Sequence, residues 1–139
     1  MKIEHLALWT VDLERMRDFY IRHFHAEAGP RYRNEKTGFE SYFLGFEEGA
    51  RLEIMQRPDI GRRAESPAAN TARPAQTAGY AHLALCVGDT QAVDELTARL
   101  QASGVTVLSA PRWTGDGYYE SVIADPDGNH IELVARPEY

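Results

Sequence analysis

The tetrapeptide His5-Leu6-Ala7-Leu8 recurs as His82-Leu83-Ala84-Leu85, 77 positions further along the chain. A longer segment repeats after it in both copies, since GARLEIM at 49–55 aligns with GNHIELV at 128–134. Matching segments that keep their order along a chain indicate two copies of one structural unit. The repeat therefore predicts two similar modules joined by a linker.

The segment between the two copies has a different composition. Residues 57–79 contain scattered polar residues, prolines and glycines, and they show no hydrophobic periodicity. This composition is typical of a connector. The whole chain has the length of one domain, since 139 residues correspond to about one unit of ~150 residues. We therefore predict a single domain at 1–139, made of a module at 1–56, a linker at 57–79 and a module at 80–136.

Hydrophobic periodicity predicts the same order of elements, β-α-β-β-β, in each copy. In the first copy, Asp12 is a candidate N-cap for a helix that Gly29-Pro30 ends, and the strands are expected at 3–10, 31–33, 39–46 and 51–56. In the second copy, the helix begins at Asp89 or Thr90 and ends at Gly104, and the strands are expected at 80–87, 105–109, 117–124 and 130–135. This element order predicts an α+β fold.

Residue alternation sorts the strand residues into two faces. In the last strand of each copy, one face is apolar, with Leu52 and Ile54 or Ile131 and Leu133, and it is expected to pack against the helix. The opposite face carries Arg51, Glu53 and Met55 in the first copy, and His130, Glu132 and Val134 in the second. In the opening strands, His5 shares a face with Ala7 and Trp9, and His82 shares one with Ala84 and Cys86.

One histidine and one glutamate therefore stand at equivalent strand positions in both copies. Singly, a strand glutamate is usually on the solvated side, and a strand histidine is usually packed or hydrogen-bonded. Two related modules would bring two imidazoles and two carboxylates together, and such ligands suit a divalent transition metal. The sequence thus predicts a metal site formed by His5, Glu53, His82 and Glu132.

Composition excludes several other classes of function. Asp and Glu number 21 against 15 Lys and Arg, giving a net charge of -6, which argues against nucleic-acid or anionic-membrane partners. The single cysteine, Cys86, rules out an internal disulfide framework and a multi-cysteine zinc site. No signal peptide or long apolar run is visible in the sequence, so a cytoplasmic protein is expected.

The paired modules, the histidine at the head of each copy and the segment DPDGNHIEL at 125–133 resemble the vicinal oxygen chelate superfamily. The resemblance is strongest to small bacterial proteins similar to glyoxalase I. It implies cupped mixed sheets with helices outside, a homodimer, and the ligands His5, Glu53, His82 and Glu132. It also implies one divalent metal ion per site, which could be nickel, cobalt, zinc, manganese or iron.

The activity implied by the resemblance is that of a lactoylglutathione lyase-like enzyme acting on a small hemithioacetal-type substrate through an enediolate. Glu132 or Glu53 would act as the base. The bacterial glyoxalase I pattern has glutathione-binding residues where this sequence has Trp9 and Arg57, which disfavours glutathione as the thiol. The alternatives are a non-catalytic small-molecule binding or resistance protein, and a thiol transferase or dioxygenase on the same fold.

Six further residues are candidates for the substrate pocket. Trp9, Met55, Cys86 and His130 lie on the predicted ligand-bearing strand faces, and Tyr118 and Tyr119 follow a glycine turn that could border the pocket. Each also has an ordinary structural explanation, such as a turn residue or an apolar filler.

Overall fold

The computed structural model describes residues 1–61 and 78–136, and the chain divides into two compact units at Met1–Arg63 and Ala64–Tyr139. The boundary between the units falls within the segment predicted as a linker. Most of that linker, residues 62–77, lies outside the described residues. Within the described residues, no helix is long and apolar enough to cross a membrane.

The first unit contains one helix, α1 (Leu13–Phe24), and five strands that form one mixed sheet. The strands are β1 (His5–Trp9), β2 (Glu27–Ala28), β3 (Tyr32–Asn34), β4 (Phe39–Gly45) and β5 (Arg51–Gln56). Their order is β1-β5-β4-β2, and β3 also pairs with β4. The first and last strands of the unit, β1 and β5, are adjacent and parallel, while the other pairs are antiparallel.

The second unit repeats this arrangement with one helix and four strands. These are β6 (His82–Gly88), α2 (Thr90–Ala102), β7 (Val107–Trp113), β8 (Tyr119–Ala124) and β9 (His130–Ala135). The sheet order is β6-β9-β8-β7, and again the first and last strands, β6 and β9, pair in parallel. The predicted α+β fold with two βαβββ-like modules is confirmed, with the two-residue strand β2 as an addition to the first.

Each helix begins where the sequence predicts it. The carboxylate of Asp12 accepts a hydrogen bond from the backbone N–H of Arg15 at 3.0 Å, and Asp89 accepts one from Ala92 at 2.9 Å. Both are N-caps that satisfy an otherwise unpaired backbone donor of the first turn. The parallel β1–β5 and β6–β9 pairs need such a crossover helix to return the chain to the same end of the sheet.

The predicted end of the first helix at Gly29-Pro30 is wrong. The helix ends at Phe24, and His25 adopts a left-handed conformation (φ 54°) in which its backbone N–H donates to the carbonyl of Tyr20. A left-handed residue just past the last turn is a common helix terminator, although glycine fills that position more often than histidine. The chain after His25 is therefore free to form β2.

Several strand boundaries in the second unit also differ from the prediction. Strand β7 extends to Trp113 rather than ending at Ser109, with register shifts on both sides of Ser109. Pro111 is tolerated inside it because β7 is an edge strand with an irregular ladder. Strand β8 begins at Tyr119 rather than at Gly117, because Gly117 (φ 89°) closes a turn in which its N–H donates to the carbonyl of Thr114.

The hydrophobic core of each unit lies between its helix and one face of its sheet. In the first unit, Leu13, Met16 and Tyr20 are buried together with the strand residues Leu52 and Ile54. In the second unit, the corresponding buried residues are Val93, Leu96, Leu100, Ile131 and Leu133. The predicted apolar faces are confirmed, so the opposite face of each sheet carries the histidines and glutamates.

Candidate functional site

His5 and Glu53 form a pair on the helix-free face of the first sheet. In the parallel β1–β5 ladder, His5 is paired with Arg51 and Ala7 with Glu53, so the histidine and the glutamate are offset by two positions and share a face. The Nε2 atom of His5 lies 3.8 Å from the Oε2 atom of Glu53. The Glu53 side chain is 15% exposed and the His5 side chain 39% exposed. Both side chains are therefore partly covered but reachable by a small ligand.

His82 and Glu132 form the equivalent pair in the second unit. In the β6–β9 ladder, His82 is paired with His130 and Ala84 with Glu132, which is the same two-position offset. The Nε2 atom of His82 lies 3.1 Å from the Oε2 atom of Glu132, and these side chains are 43% and 19% exposed. The sequence repeat is thus reproduced in strand register as well as in residue type.

Each pair supplies one imidazole nitrogen and one carboxylate oxygen, and this donor chemistry fits a divalent transition metal. One pair therefore supplies two donors, fewer than the four ligands that such a metal site usually has. Across residues 1–61 and 78–136, no group of three or more His, Cys, Asp or Glu side chains is arranged to hold a metal ion. The site of four ligands, His5, Glu53, His82 and Glu132, therefore stays a prediction.

Partial burial raises the pKa of Glu132, and the nearby carboxylate of Glu120 acts in the same direction. His82 and Arg112 oppose the shift because their positive charge favours the ionised carboxylate. Glu120 is itself buried, and Arg112 Nη2 lies 3.3 Å from its Oε1 atom. Glu120 is not among the residues predicted from the sequence, although alternation along 119–124 places it on the same face as Glu132 through its partner Val134.

Three side chains surround His5 and were not predicted as site residues. The carboxylate of Glu4 accepts hydrogen bonds from His5 Nδ1 and from Arg51 Nη2, and both hydrogen bonds lower the pKa of Glu4. The Arg51 guanidinium lies over the Phe43 ring at 4.3 Å, and the Phe43 ring meets the His5 ring edge-on at 5.3 Å. Phe43 is also the strand partner of Glu53.

Trp9 and Met55, two of the predicted pocket residues, are strand partners on the His5–Glu53 face. The Trp9 ring contacts the Phe39 ring edge-on at 6.0 Å, and the Arg57 guanidinium lies 5.1 Å from its centroid. Arg57 is held in this position by Asp59, through Nε–Oδ1 and Nη2–Oδ2 distances of 2.5 and 2.9 Å. The end of the sheet face near Trp9 is therefore aromatic, and the Arg57 guanidinium beside it is paired with Asp59.

The predicted pocket residues of the second unit lie in different surroundings. Cys86 is exposed and shares a strand face with His82, and His130 is the strand partner of His82. Tyr118 is exposed, whereas the Tyr119 hydroxyl donates to Asp94 of α2 at 2.7 Å, a hydrogen bond that raises the pKa of Tyr119. The Tyr119 hydroxyl is therefore engaged on the helix side, away from the face that carries Glu132.

Comparison with protein families gives one match that covers most of the chain. The model described as Glyoxalase/Bleomycin resistance protein/Dioxygenase superfamily matches residues 2–133. Among curated proteins, no sequence matches.

Solved structures share the fold at low sequence identity. Glyoxalase I from Zea mays superposes with a TM-score of 0.74 and 18% identity over 99% of this chain and 45% of the maize chain, so this chain spans less than half of it. The trypanothione-dependent glyoxalase I of Leishmania major superposes with a TM-score of 0.72 and 21% identity, over 97% of this chain and 86% of the Leishmania chain. A glyoxylase/bleomycin resistance protein/dioxygenase domain from Frankia sp. EAN1pec superposes with a TM-score of 0.78 and 16% identity, over 99% of this chain and 98% of the Frankia chain.

Proposed function

The chain belongs to the glyoxalase/bleomycin resistance protein/dioxygenase superfamily, and from this premise we propose that it is a metal-dependent lyase or isomerase resembling glyoxalase I. Its substrate would be a small α-carbonyl compound of hemithioacetal type. The observation that carries the proposal is the His–Glu pair that recurs at the same strand register in both units, His5 with Glu53 and His82 with Glu132. A duplicated pair of metal-ligand side chains on the helix-free face has no role in either hydrophobic core.

We propose that the two pairs combine into one site with four ligands, within one chain or across a homodimer. A divalent cation bound there would supply the positive charge that stabilises an enediolate formed from two neighbouring oxygens of the substrate. Imidazole and carboxylate ligands are compatible with nickel, cobalt, zinc, manganese or iron, so the metal supply would help to decide the ion.

The reaction proposed for this site is a proton transfer between neighbouring carbons. A glutamate carboxylate accepts the proton from the carbon that bears the hydroxyl and the sulfur and returns it to the adjacent carbonyl carbon, while the hydroxyl proton moves to the former carbonyl oxygen. The product is the isomeric hydroxy thioester, so no oxidant or reductant is needed. Glu132 and Glu53 are the two candidates for this base, since both are partly covered and lie beside a histidine.

Two residues support a thiol other than glutathione. Trp9 and Arg57 stand where the glyoxalase I pattern has glutathione-binding residues, and here they contact each other. Asp59 accepts hydrogen bonds from Nε and Nη2 of Arg57, and its negative charge weakens the attraction of that guanidinium for a carboxylate of a peptide thiol. We therefore propose that the enzyme accepts a smaller or more apolar adduct.

One observation favours a second candidate function, non-catalytic binding of a small molecule. The rings of Trp9, Phe39 and Tyr32 form a partly exposed aromatic cluster in the first unit. Such a cluster is suited to an apolar or planar ligand. A thiol transferase or a dioxygenase is less well supported, because the resemblance gives those enzymes a single glutamate ligand and this chain has two.

Metal analysis joined to a turnover screen tests the proposal. Protein purified without a metal-affinity tag would be analysed for bound transition metals, reloaded with Ni²⁺, Co²⁺, Zn²⁺, Mn²⁺ or Fe²⁺, and assayed with hemithioacetals of glutathione and of smaller thiols. The expected result is about one metal ion per site, thioester formation that depends on it, and loss of bound metal in Glu53→Gln and Glu132→Gln. Glu48→Gln, an exposed change in the β4–β5 turn, is the matched control.

Two outcomes would contradict the proposal. If no divalent metal binds and Glu132→Gln leaves the metal content unchanged, the four-ligand site is wrong. A stoichiometric ligand complex that needs no metal and shows no turnover would instead establish the binding function.

A further inference from the structure

Glu4 links the first ligand histidine to the strand that carries its partner glutamate. One carboxylate oxygen of Glu4 accepts a hydrogen bond from His5 Nδ1, and the other accepts one from Arg51 Nη2. The backbone carbonyl of Glu4 also accepts from the backbone N–H of Arg51 at 3.1 Å. Glu4 is therefore tied to β5 by both its backbone and its side chain, just before β1 begins.

The remaining sides of this arrangement are aromatic. The Arg51 guanidinium lies 4.3 Å from the centroid of the Phe43 ring, and the Phe43 ring is perpendicular to the His5 ring at 5.3 Å. His5 is thus contacted by a carboxylate at Nδ1 and by an aromatic edge-to-face contact. Its other nitrogen, Nε2, is the atom that lies 3.8 Å from Glu53. Glu4, Arg51 and Phe43 are therefore the three side chains grouped around His5 on this side.

A carboxylate at one imidazole nitrogen determines what the other nitrogen does. In the neutral ring, when Nδ1–H donates to the carboxylate, the proton stays on Nδ1, and Nε2 carries the lone pair that can bind a cation or accept a hydrogen bond. Carboxylate partners of this kind orient metal-ligating histidines and make them more basic, and their loss typically costs 10–100-fold in metal affinity.

The second unit has none of these three groups at the equivalent positions. Ala81 precedes His82 as Glu4 precedes His5, and His130 stands opposite His82 where Arg51 stands opposite His5. Val122 is the strand partner of Glu132, as Phe43 is of Glu53. The two histidines therefore share a strand register but not an environment.

We infer that Glu4 is a positioning residue, which fixes His5 in the Nδ1–H form with its Nε2 lone pair directed toward Glu53, so that the first unit provides the preorganised half of the site. The role of Nε2 toward a divalent cation rests on the proposed function, whereas the tautomer of His5 does not. The inference also predicts that the two half-sites are unequal, with His82 less firmly held than His5.

The tautomer is tested first, in metal-free protein at a pH that keeps imidazole rings neutral, by two-bond ¹H–¹⁵N correlation spectra of the imidazole nitrogens. The expected result is a His5 ring that is predominantly Nδ1–H in the wild type and a mixture of tautomers in Glu4→Ala. Glu4→Gln should keep the Nδ1–H form, because the amide oxygen can still accept. A wild-type His5 that is mainly Nε2–H, or a ring unaffected by Glu4→Ala, would overturn the inference.

The metal consequence is tested by competition of Zn²⁺ between the protein and a chelator. We expect Glu4→Ala to weaken Zn²⁺ binding by about 10–100-fold and Glu4→Gln to weaken it less. In a His5→Ala background, Glu4→Ala should have no further effect, because Glu4 acts through His5. Additive losses in that double-mutant comparison would show that Glu4 acts independently, and would count against a positioning role.

These variants separate the inference from the proposed function. Glu4 and Arg51 line an open hollow of about 670 Å³ at the surface, so replacing Glu4 leaves the hydrophobic core intact. If the tautomer depends on Glu4 but the wild type binds neither Zn²⁺ nor any of the other four metal ions, the positioning role stands and the metal-dependent function fails. If Zn²⁺ binds tightly but the His5 tautomer is the same in the wild type and in Glu4→Ala, the metal-dependent function stands and the positioning role fails. Glu48→Gln again controls for the loss of one surface carboxylate.

Discussion

His82 Nε2 lies 3.1 Å from Glu132 Oε2, although the two residues belong to opposite ends of the second module's sequence. The contact exists because β6 and β9, the first and last strands of the module, pair in parallel with Glu132 beside Ala84. A side chain then meets a neighbour two positions along the adjacent strand on the same face. The same register in the first unit brings His5 to Glu53, so one topological rule generates both pairs.

The proposed base is tested by Glu132→Gln, which keeps the size of the side chain and removes its ability to take a proton. We expect turnover of the reactive hemithioacetal to fall by about 10²–10⁴-fold, the usual contribution of a positioned general base. The measurement is the rate of thioester formation at saturating metal, with metal content checked in the same sample. Glu53→Gln is the matched change in the other unit.

The comparison of those two variants identifies the base. A loss of kcat that persists when a variant is reloaded to full metal occupancy assigns proton transfer to that residue, whereas a loss that saturating metal reverses shows that the residue acts only as a ligand. Equal kcat in both variants and in the wild type would show that neither carboxylate transfers the proton.

The aromatic end of the first sheet predicts an effect on substrate selection. Trp9→Ala removes the ring that contacts Phe39 and supports the Arg57 guanidinium. We expect KM for a hemithioacetal with an apolar or aromatic substituent to rise by roughly fivefold, in keeping with about 1 kcal/mol for one exposed aromatic contact. The KM for the smallest substrate should change little, and Trp113→Ala, on the second unit, is the control. Equal changes for both substrates would argue that Trp9 does not contact the variable group.

The repeat made much of this arrangement predictable from sequence. Strand alternation placed Glu53 and Glu132 on the face opposite Leu52, Ile54, Ile131 and Leu133, because period-two patterns survive in half-buried strands. Glu4 could not be found in this way. Alternation would direct it away from His5, but it precedes the first residue of β1 and its side chain turns back to reach Nδ1.

Element ends were less predictable, for local reasons. The termination of α1 at Phe24 depends on His25 adopting a left-handed backbone, a conformation that sequence patterns assign to glycine. The continuation of β7 past Ser109 depends on an irregular edge ladder that accepts Pro111. The linker 57–79 and the combination of the two pairs into one site remain predictions.

A buried hydrogen bond joins α2 to its sheet and should matter for stability. The hydroxyls of Thr97 and Ser121 lie 2.7 Å apart, and both residues are buried. Thr97→Val leaves the Ser121 hydroxyl without this partner, so we expect the free energy of unfolding to fall by about 1–3 kcal/mol. Adding Ser121→Ala should recover part of the loss, since no unsatisfied hydroxyl then remains. Chemical denaturation of the wild type, the two single variants and the double variant measures the coupling between the two hydroxyls. Strictly additive losses would show that the hydroxyls do not interact.

The turn before β9 predicts a pH effect on stability. Asp125 is buried, and its carboxylate accepts hydrogen bonds from the backbone N–H groups of Asp127 and Asn129, both at 2.9 Å, and from Asn129 Nδ2 at 2.8 Å. Burial nevertheless raises the pKa of Asp125 above its ordinary value of 3.8, because desolvation of the charge outweighs these bonds.

The sign of the effect follows from proton binding. Between pH 3.8 and the raised pKa, the folded state binds more protons at Asp125 than the unfolded state does, so this group stabilises the fold as the pH falls. Its contribution is complete below pH 3.8 and is lost as the pH rises through the raised pKa. The free energy of unfolding of the wild type, relative to Asp125→Asn, should therefore increase when the pH is lowered toward 3.8. Urea denaturation of the wild type and of Asp125→Asn at several pH values measures this difference in the free energy of unfolding. Because both proteins contain Glu132, its titration cancels in the difference. A relative stability that instead grows with pH would show that the hydrogen bonds, and not burial, control Asp125.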